Sequence, residues 1–85
     1  KDVPPYIICG RNPLKYEGLN KVGLRRRGFS SEDIEIIKKS YDMLYNSGFN
    51  VSQALIKIEA ELGSNQNVKD IISFIRNSKR GIIGR

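Results

Sequence analysis

The sequence predicts a mainly α fold: a small bundle of three main helices, at about 31–47, 51–62 and 67–79, preceded by a short extended segment. Three observations carry this. Apolar residues recur at helical spacing through three successive stretches after Ser30. Polar caps precede these stretches and glycines follow them. All three prolines and half of the eight glycines fall before Ser30, where they break up regular structure.

The first 29 residues therefore do not read as a long helix. Tyr6-Ile7-Ile8-Cys9 is a short apolar run with strand character. A single strand cannot close a sheet, so it is expected to belong to a sheet whose remainder is missing. Asn20 to Arg27 suits a short helical turn.

From Ser30 the pattern is helical. Ser30 is a cap, Glu32 and Asp33 are acids in a first turn, and Phe29 and Ile34 are placed as a hydrophobic staple. Ile34, Ile37, Tyr41, Leu44 and Tyr45 form the apolar stripe, and Gly48 follows it. The second helix starts after Asn50, with Gln53 as its capping-box partner. Its stripe is Val51, Ala54, Leu55, Ile58 and Leu62, ended by Gly63. The third runs from about Asn67 with Val68, Ile71, Ile72 and Ile75 on one face, and Gly81 stops it. Ile82 and Ile83 are expected to pack back onto the body. Short connections make successive helices antiparallel neighbours.

The totals limit the chemistry. Eighty-five residues make one small domain or one piece of a longer chain. A core of this size is worth only about 3–5 kcal/mol. The chain opens on Lys1 rather than Met and reads as a fragment. Cys9 is the only cysteine, so no internal disulfide forms, which fits a reducing compartment. No stretch approaches the ~18 apolar residues of a membrane span. Histidine is absent, which removes the commonest general base and metal ligand. A serine nucleophile activated by histidine is excluded within these residues.

The net charge of +6 is uneven: residues 1–29 carry +5, residues 30–62 carry −3, and residues 63–85 carry +4. Basic ends around an acidic middle argue for an anionic partner near the ends. The sharpest feature is Arg25-Arg26-Arg27-Gly28, beside Lys21 and just before a helix start. Guanidinium forks match phosphate oxygens, a helix start adds N–H donors, and Gly28 lets a backbone approach. The competing reading pairs the arginines with Glu32 and Asp33. Asn20 can donate and accept from a turn, or simply form it. Lys38 and Lys39 lie near or off the apolar stripe and are available to a partner. Arg76 to Arg80 suits a basic helix end that serves the last carbonyls. Tyr41 and Tyr45 sit on the stripe and read as core, and no carboxylate pair stands at catalytic spacing.

Three of these segments resemble one family, the acyl-carrier-protein-dependent UDP-N-acetylglucosamine O-acyltransferases that start lipid A synthesis. Val3 to Tyr6, VPPY, resembles the last coil of the family's left-handed parallel β-helix. Gly18 to Ser30, GLNKVGLRRRGFS, is similar to the family's G-[LVI]-N-x-x-G-L-[KR]-R-R-G-F-S segment. Phe74 to Ile83, FIRNSKRGII, resembles its C-terminal signature. The resemblance covers the whole chain, but only the C-terminal third of the family's enzyme. It divides the chain into a terminal β-helix coil and linker, 1–18, and a C-terminal helical domain, 19–85.

The resemblance implies a cytoplasmic homotrimer that moves a 3-hydroxyacyl chain from acyl carrier protein to the 3-hydroxyl of UDP-N-acetylglucosamine. The general base is a β-helix histidine, upstream of Lys1. Asn20, Arg26 and Arg27 match family residues near the UDP diphosphate and ribose. Arg25, Lys38 and Lys39 are the candidates for docking the acidic carrier. No catalytic residue, cofactor or metal is expected here. Val22 stands where some members have a glutamate, and Arg11-Asn12-Pro13-Leu14 replaces a more usual Gly-Asn-His/Pro-Ala. The RRRG and RNPL variants resemble a Bacteroidetes-type member. The alternative from another class is a small basic helical module that binds nucleic acid, and steeply salt-dependent binding to duplex DNA would favour it. A domain that serves oligomerisation alone is a third reading.

Overall fold

The computed structural model describes residues 3–9, 16–78 and 81–82. Two strands and four helices follow in order: β1 (Ile7–Cys9), β2 (Tyr16–Leu19), α1 (Lys21–Arg26), α2 (Ser31–Tyr45), α3 (Val51–Leu62) and α4 (Gln66–Arg76).

The extended segment also finds a partner within the chain, in a two-stranded sheet. β1 pairs antiparallel with β2, with Ile7 opposite Leu19 and Ile8 opposite Gly18. The register then shifts, and Cys9 lies opposite Tyr16. Such a bulge leaves an extra residue unpaired and bends the strand. The pleat alternates as a sheet lying on a core should: Ile7 is half-buried against the core while Ile8 is exposed.

The helices start where their side chains cap them. Ser30 Oγ accepts from the Asp33 amide at 3.0 Å. Asn50 and Gln53 form a reciprocal capping box, and α3 has the predicted bounds. α4 is capped by Asn65, whose Oδ1 accepts from the amides of Asn67 and Val68, so it starts at Gln66.

The ends fall short of prediction in two cases. α2 stops at Tyr45 rather than 47: Asn46 is its C-cap, and the Ser47 hydroxyl turns back to donate to the Met43 carbonyl. α4 stops at Arg76 rather than 79, with Asn77 as C-cap. Its apolar stripe ends at Ile75, so a further turn would bury nothing. Lys79, Arg80 and Ile83 lie outside the described residues, and Ile82 is half-buried against the core as expected.

The core confirms the predicted faces of α2 and α4. Ile34, Ile37, Tyr41, Leu44 and Tyr45 are buried, as are Val68, Ile71, Ile72 and Ile75. On α3 the buried set is Ala54, Leu55 and Ile58; Val51 is 44% exposed at the N-terminal end. Leu19 of β2 and Leu24 of α1 complete the core. α2 is the central element, packing against α1, α3, α4 and β2. Ser40 is buried within it and donates its hydroxyl to the Ile36 carbonyl at 3.1 Å.

Candidate functional site

The basic cluster is built on α1, a two-turn helix anchored by Leu24. Asn20 is its N-cap: Oδ1 accepts from the Gly23 amide at 3.1 Å. Gly23 must be small for this. A Cβ there would stand 2.7 Å from Asn20 Nδ2 and 3.0 Å from its Cγ. Capping occupies the carbonyl oxygen of Asn20 and leaves its amide NH2 as the group a ligand can use.

The far end of α1 is closed by Arg27, Gly28 and Phe29. The Phe29 amide donates to the Leu24 carbonyl and the Gly28 amide to the Arg25 carbonyl, both at 3.1 Å. This is a Schellman closure, which needs a left-handed residue after the C-cap. Gly28 supplies it at φ +86. The glycine is thus explained by backbone conformation, where the sequence suggested room for an approaching ligand.

The three arginines part company. On a helix successive residues lie about 100° apart, and residues seven apart share a side. Asn20 and Arg27 therefore lie on one side of α1, with Arg25 and Arg26 turned away from it. All three guanidinium-bearing residues are exposed. Among the described residues none is ion-paired: the salt bridges there are Lys38–Asp42 at 2.9 Å and Arg76–Glu59 at 2.7 Å. The competing reading, in which Glu32 and Asp33 neutralise the arginines, finds no support in this geometry.

Tyr6 ties Asn20 and Arg27 together. The backbone amide of Asn20 donates to the Tyr6 carbonyl at 2.9 Å. The Arg27 guanidinium carbon lies 5.6 Å from the Tyr6 ring centroid and 5.5 Å from that of Phe29. The two rings are themselves in contact, 5.4 Å apart and tilted at 60°. Separations under about 6 Å are those of a cation–π contact. Tyr6 is the only described non-glycine residue at positive φ, +71. Neither Tyr6 nor Phe29 stood out from the sequence as a site residue. The signal present was the aromatic character of both, beside the VPPY turn and the arginine run.

The remaining candidates lie elsewhere. Lys38, on α2, is engaged by Asp42 one turn along, and Lys39 beside it is exposed. The start of α2 is already capped by Ser30 and carries Glu32 and Asp33, so it offers an anion little. A groove of about 390 Å³ between α3 and α4, lined by Glu59, Lys69, Ile72 and Arg76 among others, includes no residue of α1. Among the described residues no helix is long and apolar enough to cross a membrane. Arg11 to Leu14, where the sequence departs from the resembled pattern, lies outside the described residues.

Comparison with known proteins agrees with the motif resemblance. The family model described as "Udp N-acetylglucosamine O-acyltransferase; Domain 2" matches residues 2–83. An acyl-[acyl-carrier-protein]–UDP-N-acetylglucosamine O-acyltransferase of Fusobacterium nucleatum is 43% identical over 82 residues, 96% of this chain and 32% of the relative. The crystal structure of a UDP-N-acetylglucosamine acyltransferase from Bacteroides fragilis is 57% identical, with TM-score 0.93, over 98% of this chain and 32% of that one. The Francisella novicida enzyme is 33% identical, with TM-score 0.92, over 100% of this chain and 32% of that one. The chain thus spans about a third of the length of the relatives it matches. None of these comparisons points to nucleic-acid binding. With its fold, its α1 motif and nearly its full length accounted for, this chain belongs to the UDP-N-acetylglucosamine O-acyltransferase family.

Proposed function

We propose that this chain is the C-terminal helical part of an acyltransferase that moves a 3-hydroxyacyl group from acyl carrier protein to the 3-hydroxyl of UDP-N-acetylglucosamine, the first step of lipid A synthesis. The observation that carries the reading is the joint anchoring of Asn20 and Arg27 by Tyr6 within the segment that matches the family. A nucleoside diphosphate suits this arrangement. The Arg27 guanidinium offers a planar, charged fork to phosphate oxygens, and the Asn20 side-chain NH2 offers a neutral donor about two helical turns away. Arg26 extends the positive charge around the helix.

In this reading the chain binds and orients, and performs no proton transfer. Attack by the sugar hydroxyl needs a base, and the 85 residues hold no histidine. The base is assigned to the part of the relatives' length that this chain does not span, where a left-handed β-helix would supply it. Residues 1–18 are the end of that β-helix and its linker, and residues 19–85 the helical domain. Trimer formation and a cytoplasmic location accompany this reading. Arg25 and Lys39 are the exposed cations offered to the acidic carrier protein, with Lys38 less available because Asp42 holds it.

The test is Arg27→Ala in the full-length enzyme. A charge-assisted hydrogen bond is worth about 1.5–3 kcal/mol. Its loss raises the KM for UDP-N-acetylglucosamine about tenfold or more, with kcat affected less. An unchanged KM would clear Arg27 of the role.

A further inference from the structure

From the contacts around α1 we infer that Tyr6 and Phe29 are positioning residues for the nucleotide-binding groups, holding Arg27 on a two-ring platform while Tyr6 also sets the backbone of Asn20. The inference rests on the proposed role of Asn20 and Arg27 and adds residues that do not themselves touch the substrate.

An exposed arginine at a helix end is a mobile side chain. Fixing it on binding a ligand costs side-chain entropy. Here the freedom is already restricted. The guanidinium lies within 5.6 Å of both ring centroids, yet Arg27 stays exposed to solvent. An aromatic platform attracts the cation without neutralising it, and among the described residues no hydrogen bond occupies the Arg27 guanidinium N–H groups. A carboxylate partner would have taken the edge and neutralised the charge. Among the described residues no carboxylate does so. The platform therefore orders the cation without using up its hydrogen-bond donors.

The backbone of Tyr6 supports the same conclusion. At φ +71 it occupies the left-handed region, which is unfavourable for a bulky side chain. In that conformation its carbonyl meets the Asn20 amide at 2.9 Å, and its ring meets Phe29 and Arg27. One strained residue thus reaches both ends of α1. The Schellman closure at Gly28 places Phe29 as the second ring.

The experiment is a double-mutant cycle in the full-length enzyme: Phe29→Leu, Arg27→Ala and the pair, with kcat and KM for UDP-N-acetylglucosamine. Leucine keeps an apolar side chain against the core and removes the ring. The expected result for Phe29→Leu is a rise in KM of about two- to fivefold, the size of an exposed cation–π contact, with a smaller change in kcat. Phe29→Tyr restores the KM. In the Arg27→Ala background Phe29→Leu adds nothing, because the group it positions is gone. A KM unmoved by Phe29→Leu, or moved equally with and without Arg27, overturns the inference. If Phe29→Leu does not fold, the same cycle with Tyr6→Leu decides. Arg27→Ala alone reports on the binding role, so failure of that reading is told apart from failure of the platform.

Discussion

The hydroxyl of Tyr41, in the middle of α2, donates to the carbonyl of Pro5 at 2.6 Å, across 36 positions of sequence. Tyr41 is fully buried and stacks on Tyr45 at 6.2 Å. The bond fixes the entering strand on the bundle at the residue just before Tyr6. Tyr41→Phe removes the hydroxyl and keeps the ring. It is expected to destabilise the chain by about 0.5–1.5 kcal/mol. Urea denaturation reads this directly, and coincident midpoints would show that the bond contributes nothing net.

Gly23 and Asn20 are coupled through space. In the parent sequence Gly23→Ala pushes the Asn20 side chain off its cap, so the helix-propensity gain of about 1 kcal/mol is offset by a lost cap of about 0.5–2 kcal/mol. In an Asn20→Ala background the three atoms nearest that methyl group are gone. There Gly23→Ala is expected to stabilise by the full propensity gain. Additive effects of the two substitutions would count against the contact.

Gly28 stands at φ +86 within the turn that closes α1. Gly28→Ala puts a Cβ into the left-handed region and is expected to cost about 1–2 kcal/mol. Because the same turn places Phe29, the substitution should also raise the nucleotide-sugar KM in the full-length enzyme. Loss of stability with KM untouched would separate the turn from the platform.

The core is small enough that one truncation matters. Ile58 is fully buried on α3, whereas Ile56, two residues before it, is 67% exposed. Ile58→Ala is expected to cost about 2–5 kcal/mol, comparable with the whole stability of a domain this size. Ile56→Ala should stay within about 0.5 kcal/mol. Far-ultraviolet circular dichroism of the two variants on heating gives the comparison.

Much of the bundle was legible because its signals are local. Ser30, Asn50 and Gln53 announce helix starts within four residues, and the stripes on α2 and α4 repeat with the helical period. What escaped was non-local. β2, Tyr-Glu-Gly-Leu, has no run of β-branched residues and contains a glycine, so it read as punctuation. Its strand character comes from pairing with β1. At the site, Arg25, Arg26 and Arg27 read as one cluster, yet helical geometry sends them to different sides. The platform could not be read because Tyr6 and Phe29 meet only after the strand folds over α1. A tyrosine at positive φ carries no local signature.

The caps at Asn20, Ser30, Asn50 and Asn65 bear on how the molecule assembles. Each helix start is closed by contacts spanning two or three residues, whereas the ties from Asn20 to Tyr6 and from Tyr41 to Pro5 require closing larger loops. Segments with low contact order form quickly, and distant pairings follow. The strand entry should therefore dock last and open first, as a separate low-energy fluctuation of the native state. Amide hydrogen exchange would register it as faster exchange at Asn20 than at Ile58, and equal protection at the two would mean that the whole chain opens as one unit.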